Sequence, residues 1–144
     1  MSEADPATEK RKSAKPEYIT PASRLRLHML AGNMARLVLM SGSFVDLGRM
    51  VSCHARYDAL GLSYRILVSA FSQARTVSQA RSLSYIVDEW YMESETSPAR
   101  LEQVLLGEYA VANRLGDQVS IDRCLTRVLL LQELGRIRPD FNPT

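Results

Sequence analysis

This sequence predicts an all-α fold, and three observations support that prediction. Apolar side chains recur three and four positions apart through most of the chain after residue 20, which is the spacing of one helix face. Helix-start and helix-end signals flank these patterns: Thr20-Pro21 is typical of a first turn, and Gly42, Gly61 and Gly116 follow apolar runs. The 144 residues, 46% of them hydrophobic, are enough for one domain with its own core. We therefore expect a single domain of about five helices.

The chain begins with a polar, proline-interrupted segment, MSEADPATEKRKSAKPE, which cannot bury enough apolar surface to fold. We expect residues 1–19 to form a disordered tail and residues 20–144 to form the helical domain. The basic cluster at residues 10–12 is typical either of an arm that contacts nucleic acid or of a solubilising tail. No signal-peptide pattern and no run of about 20 apolar residues occurs, which predicts a cytoplasmic protein that does not enter a membrane.

The first two helices are predicted between residues 20 and 60. The first should end near Met40, because Gly42 follows it. Ser43, with Asp46 three positions later, resembles a capping box and opens the second helix, which Gly61 closes. The expected buried stripe of the first helix is Leu27, Leu30, Met34, Leu37 and Val38. The expected stripe of the second is Phe44, Leu47, Val51 and Ala55.

The third helical region, residues 63–92, has a weak middle. Its two apolar halves are separated by small and polar residues at 75–82. An unbroken helix of about 30 residues would span roughly 45 Å, which is longer than a domain of this size needs. We therefore expect a break near residues 76–78 or a protruding helix. The expected buried residues are Tyr64, Leu67, Val68, Phe71 and Ala74 in the first half, and Leu83, Ile86, Val87 and Trp90 in the second.

The end of this region is acidic, with Asp88 and Glu89 among four carboxylates around Trp90 and Tyr91. Carboxylates at the C-terminus of a helix oppose its dipole, so another group is expected to hold them there. Two interpretations remain open. Trp90 and Tyr91 could receive a basic partner, or Trp90 could simply belong to the core, which is the commoner place for a tryptophan.

The last two predicted helices, within residues 97–139, form a pair joined by a glycine turn. Ala112 is small enough for a close helix crossing, and Gly116 suits the left-handed conformation that such a turn needs. The second helix is expected to begin at Ser120. Its inner stripe should contain Ile121, Cys124, Leu125, Val128, Leu131 and Gln132. Its outward residues should include Asp122, Arg123, Thr126 and, nearer the edge, Arg127.

Residues 107–139 resemble the helix-turn-helix of winged-helix transcriptional regulators of the multiple-antibiotic-resistance-repressor type. The sequence QELGRIRPD is similar to the exit of the recognition helix in that family, although too few residues follow for a complete wing. The resemblance implies a dimeric, cytoplasmic regulator of transcription that binds double-stranded DNA in the major groove. The residues that it would place at the DNA are Ser120, Asp122, Arg123, Thr126 and Arg127.

Catalytic and metal-binding motifs are nearly absent from the sequence. There is no glycine-rich phosphate loop, nucleophile motif or pair of helix-spaced metal ligands, so we expect no enzyme activity, metal or cofactor. Cys53 and His54 are adjacent, and their side chains would point about 100° apart on a helix, which prevents them from binding one ion together. Cys53 and Cys124 are expected to be reduced and packed.

Two functional hypotheses follow. The first is a homodimeric DNA-binding regulator that uses the helix from Ser120. The second is a non-enzymatic helical module, such as an adaptor, chaperone or inhibitor, that binds another protein. Charge does not favour the first, because the net charge is only +2 and residues 98–144 contain six Arg and six acidic residues, 6 − 6 = 0. DNA binding should weaken steeply with salt, whereas an apolar interface should not.

Overall fold

The computed structural model describes residues 20–55, 61–93 and 96–144, and it is all-helical within those ranges. The predicted tail, residues 1–19, lies outside them, as do the side chains of Cys53 and His54. The helices are α1 (Pro21–Ser41), α2 (Phe44–Ala55), α3 (Leu62–Gln73), α4 (Val77–Glu93), α5 (Pro98–Leu115) and α6 (Gln118–Glu133). Among the described residues, no helix is both long enough and apolar enough to cross a bilayer.

The helices pack around one core. Helix α1 packs mainly on α3, α2 on α4, and α5 on both α3 and α6. Most of the core comes from α3, α4 and α5, which α1, α2 and α6 flank. The largest fully buried side chains include Leu47, Val51, Ile66, Leu67, Phe71, Leu83, Val87, Trp90, Leu101, Leu105 and Leu131.

Local capping explains where several helices begin and end. The Thr20 hydroxyl accepts a hydrogen bond from the Ser23 amide at 3.1 Å, and proline follows it at the first helical position. Gly42 and Gly116 end α1 and α5 in the left-handed conformation, with φ of 72° and 67°. These predictions are confirmed. Helix α6 begins at Gln118, two residues earlier than expected.

The predicted break in the third region is confirmed, and it divides that region into two helices. Thr76 and Gln79 form a capping box at the start of α4. The backbone amide of Gln79 donates to the Thr76 hydroxyl at 3.2 Å, and the backbone amide of Thr76 donates to the Gln79 side-chain oxygen at 3.3 Å. The domain therefore has six described helices instead of about five.

The predicted buried stripe of α1 is partly wrong. Leu30 and Leu37 are exposed, whereas Ala31 and Ala35 are buried against the rest of the domain. Small residues let α1 lie close to α3, and the Gln73 side chain reaches across to donate to the Gly32 carbonyl at 3.1 Å. The helix thus turns its two alanines inward and leaves larger apolar side chains on its opposite side.

The segment after α6 folds back on the domain without forming a strand. Gly135 adopts a left-handed φ of 68°. The side-chain nitrogen of Gln132 donates to three carbonyls of the returning chain at 2.9–3.2 Å. Ile137 and Phe141 are buried. Residues 134–144 contain no strand.

Candidate interaction surface

The predicted recognition helix, α6, carries a buried arginine. Arg127 is 3% exposed and lies between α4 and α5. Its guanidinium forms ion pairs with Asp88, at 2.5 Å, and with Glu108, and it donates to the Ser84 carbonyl at 3.1 Å. The Ser84 hydroxyl donates to Glu108 at 2.5 Å. The expectation that Arg127 points outward is therefore wrong, because its charge is neutralised inside the domain.

Ser120, the first predicted DNA-contacting residue, is also buried. Its hydroxyl donates to Asp117 at 2.6 Å, and Arg81 donates to the same carboxylate through two nitrogens at 2.7 and 3.0 Å. These bonds from Arg81 and Ser120 lower the pKa of Asp117 to about 2. In this arrangement Ser120 supports the turn before α6 and has no free surface for a base edge.

The remaining predicted DNA-contacting residues lie nearer the surface. Asp122 and Thr126 are exposed on α6. Arg123 is partly exposed, but it forms an ion pair with Asp88, and its guanidinium lies 4.1 Å from the ring centroid of Tyr85. The exposed part of the predicted recognition face therefore contains one acidic side chain, one hydroxyl and one arginine that is already paired.

The aromatic pair at the end of α4 is divided between core and surface. Trp90 is 1% exposed and donates from its ring nitrogen to the Ser63 hydroxyl at 3.1 Å. The prediction that Trp90 contacts a partner is wrong in this structure, and the alternative of a core tryptophan is confirmed. Tyr91 is half-buried, and its carbonyl accepts a hydrogen bond from Arg136 at 2.9 Å.

The sequence indicated a cation partner for Asp88 but gave little indication of one for Glu108. Asp88 stood at the acidic end of α4, where the unfavourable dipole already indicated a compensating cation, and Arg123 and Arg127 supply it. Glu108 was not recognised as part of a charged network. A lone glutamate inside the apolar run VLLGEYAVA is the only local sign that it would be buried and paired.

Cys124 is buried on the inner side of α6, as expected. Its thiol lies 3.6 Å from the Leu105 carbonyl and belongs to the core. Burial, with a smaller contribution from the nearby Glu108 carboxylate, raises the pKa of Cys124 above its ordinary value. The thiol is therefore protonated and inert in the folded protein.

Helix α1 presents a broad apolar surface to solvent. Its large apolar residues have exposed fractions from 47% to 78%, the highest being that of Met40. We call these residues the outer face of α1: Leu25, Met29, Leu30, Leu37 and Met40. They share one side of the helix with Arg26, Asn33 and Arg36, and α1 contains three arginines but no aspartate or glutamate.

No relative was found. Comparison with protein-family models, with curated proteins and with solved structures gives no match for this chain. Function is therefore inferred from the surfaces and charges of the molecule itself. Among the described helices, α1 has the greatest number of exposed large apolar side chains.

Proposed function

We propose that the protein is a non-enzymatic helical module that binds another protein through the outer face of α1. The observation that supports this proposal is the double-sided character of α1. One side packs on α3 through Ala31 and Ala35, and the other exposes five large apolar side chains. A helix that is apolar on both sides normally has both sides covered. Exposed large apolar side chains grouped on one side of a helix and bordered by polar residues are typical of protein-binding surfaces.

The composition of the outer face indicates what kind of partner would fit. Methionine and arginine are enriched in the centres of protein interfaces, and Met29, Met40, Arg26 and Arg36 all lie on this side of α1. Because α1 carries no carboxylate, two copies of the helix would bring arginines together. We therefore favour a different protein that presents an amphipathic helix with apolar and acidic residues.

The test is a comparison of three forms of the full chain in a quantitative pull-down from cells of the source organism. One variant, L25Q/M29Q/L37Q, replaces three exposed leucine or methionine side chains with a good helix former. The control variant, V119Q/L129Q, makes the same type of change at exposed positions of α6. We expect at least one protein to be retained by the wild type and the control but lost with the α1 variant.

Two results would count against the proposal. Retention of the same proteins by all three forms would show that the outer face of α1 is not the binding surface. Flotation of the wild type, but not of the α1 variant, with anionic lipid vesicles would assign the face to a membrane surface instead of a protein. Circular dichroism of each variant checks that its helices are intact.

DNA binding by α6 is the second proposal, and it rests on the glycine turn and on the exposed residues Asp122 and Thr126. The test is a titration with duplex DNA at about 50 and about 200 mM salt. The informative variant is R123Q/T126A. Arg127 is unsuitable, because its replacement would disturb the core. Salt-sensitive binding that the variant loses would support this proposal, and no binding by the wild type at low salt would refute it.

A further inference from the structure

A second surface feature is a pocket lined by three arginines from three separate parts of the chain. Arg36 lies near the end of α1, Arg75 lies in the turn between α3 and α4, and Arg114 lies near the end of α5. The pocket has a volume of about 570 Å³. Its other lining residues are Leu39, Met40, Ser72, Gln73, Ala74 and Gln79, so it contains no carboxylate.

The absence of a carboxylate distinguishes this pocket from the sites at which Arg81, Arg127 and Arg138 form ion pairs. Arg81 forms an ion pair with Asp117, and Arg127 forms ion pairs with Asp88 and Glu108. Arg138, which follows α6, forms an ion pair with Glu102 of α5. Within residues 20–55, 61–93 and 96–144, no such ion pair involves the three arginines of the pocket. Like charges gathered without a counter-ion favour the binding of an external anion.

Hydrogen bonds to neutral groups hold the pocket in shape. Arg114 donates to the Ala74 carbonyl at 2.6 Å, which fixes it beside the turn that carries Arg75. Gln79 accepts from the Arg75 amide at 2.9 Å and donates to the Leu39 carbonyl at 3.4 Å, joining that turn to α1. Arg36 also donates to the Asn33 side chain at 3.4 Å. Arg36 and Arg114 thus each use one guanidinium nitrogen in these bonds, and each guanidinium has five N–H groups. Most of these groups are therefore available to a ligand.

We propose that this pocket binds a small molecule that bears phosphate groups. Arginine is suited to phosphate because its planar fork can donate two parallel hydrogen bonds to the oxygens. Three arginines match a ligand with two or more negative charges, such as a diphosphate. Leu39 and Met40 offer apolar contact for the remainder of the molecule. A single pocket of about 570 Å³ suits such a ligand better than a nucleic-acid strand, which needs an extended basic groove.

The test uses pyrophosphate and tripolyphosphate as probes, with isothermal titration calorimetry and thermal unfolding of the full chain at constant ionic strength. At about 1–10 mM, both probes should raise the Tm of the wild type. R36Q and R75Q should each weaken pyrophosphate binding at least about tenfold. The control R26Q, which removes the same charge from an exposed site of α1 outside the pocket, should bind within about twofold of the wild type.

Several outcomes would overturn the proposal. No binding of either probe would remove the site, and an equal loss in R26Q would show a general charge effect. Tighter binding of citrate than of pyrophosphate would indicate a carboxylate ligand. Binding of a single-stranded oligonucleotide without binding of pyrophosphate would indicate a nucleic-acid surface. Arg114 is left intact because it supports the turn. Arg36 and Met40 lie both in the pocket and on the outer side of α1. The L25Q/M29Q/L37Q variant changes no residue of the pocket, so it should still bind pyrophosphate like the wild type, which separates the two proposals.

Discussion

Replacement of Arg127 by alanine should strongly destabilise the domain. The change removes the guanidinium that neutralises Glu108, which is 1% exposed and 2.5 Å from the Ser84 hydroxyl. A buried ion left without its partner costs about 3–5 kcal/mol, because neither water nor another cation can replace the pairing. Asp88 lies partly in solvent and can be hydrated, so most of the cost should arise at Glu108.

This loss can be measured by urea unfolding followed by far-ultraviolet circular dichroism. With an unfolding slope of about 2 kcal/mol/M, a loss of about 4 kcal/mol lowers the midpoint by about 2 M. The control is Arg123→Ala, because Arg123 and Asp88 are both partly exposed and such pairs contribute at most about 1 kcal/mol. The double variant E108Q/R127A should be more stable than R127A, since it truncates the arginine equally but leaves no unpaired buried charge.

A free energy of unfolding of R127A within about 0.5 kcal/mol of the wild-type value would refute this prediction, because such small losses are typical of surface substitutions. An equal loss of stability in R123A and R127A would also refute it. Either result would mean that water reaches Glu108 or that the chain repacks around it. A double variant no more stable than R127A would show that the loss arises from packing of the arginine stem and not from the uncompensated carboxylate.

Two further predictions concern turns. Asp117 has a pKa of about 2 instead of 3.8. Its carboxylate therefore stabilises the fold fully above pH 3.8 and loses that contribution as the pH falls towards 2. An NMR titration of the Asp117 carboxyl group should give a pKa of about 2, and Arg81→Gln should raise that pKa. Gly116→Ala should cost about 1–2 kcal/mol, because only its left-handed backbone resists a side chain. Gly61→Ala should cost more in urea unfolding, because its added carbon would also lie 2.6 Å from the Tyr64 ring.

Opposite results would refute these two predictions. A carboxyl pKa near 3.8 for Asp117 in the wild type, or no change in Arg81→Gln, would show that the two side chains are not paired in solution. Equal losses in Gly61→Ala and Gly116→Ala would show that the Tyr64 ring moves aside without cost. A stabilising Gly116→Ala would mean that the turn does not adopt its left-handed conformation.

Much of the fold was predictable because its signals are local. Thr20 and Gly42 mark the ends of α1 through bonds made within a few residues. The break between α3 and α4 was predicted from the polar middle of that region, and the T-x-x-Q pattern of Thr76 and Gln79 explains why it divides into two helices. Such signals depend on the nearest turn and need no knowledge of tertiary packing.

The charged and apolar surfaces were less predictable because their partners are distant in sequence. Helical spacing placed Arg127 on the outward side, near the edge of the inner stripe, but its carboxylate partners come from α4 and α5, 39 and 19 residues earlier. In α1, the pattern of large residues favoured Leu30 and Leu37 as core. Only the close approach of α3 selected Ala31 and Ala35 instead.

The buried indole of Trp90 gives the protein a built-in optical reporter. It is the single tryptophan of the chain, it is 1% exposed, and its ring nitrogen is bonded to Ser63. Its emission should be blue-shifted and shielded from ionic quenchers while the core is intact. A ligand bound on the outer face of α1 would leave the indole buried, whereas unfolding of the core would expose the indole to water. Tryptophan emission can therefore separate a variant that fails to bind from a variant that fails to fold, without any added label.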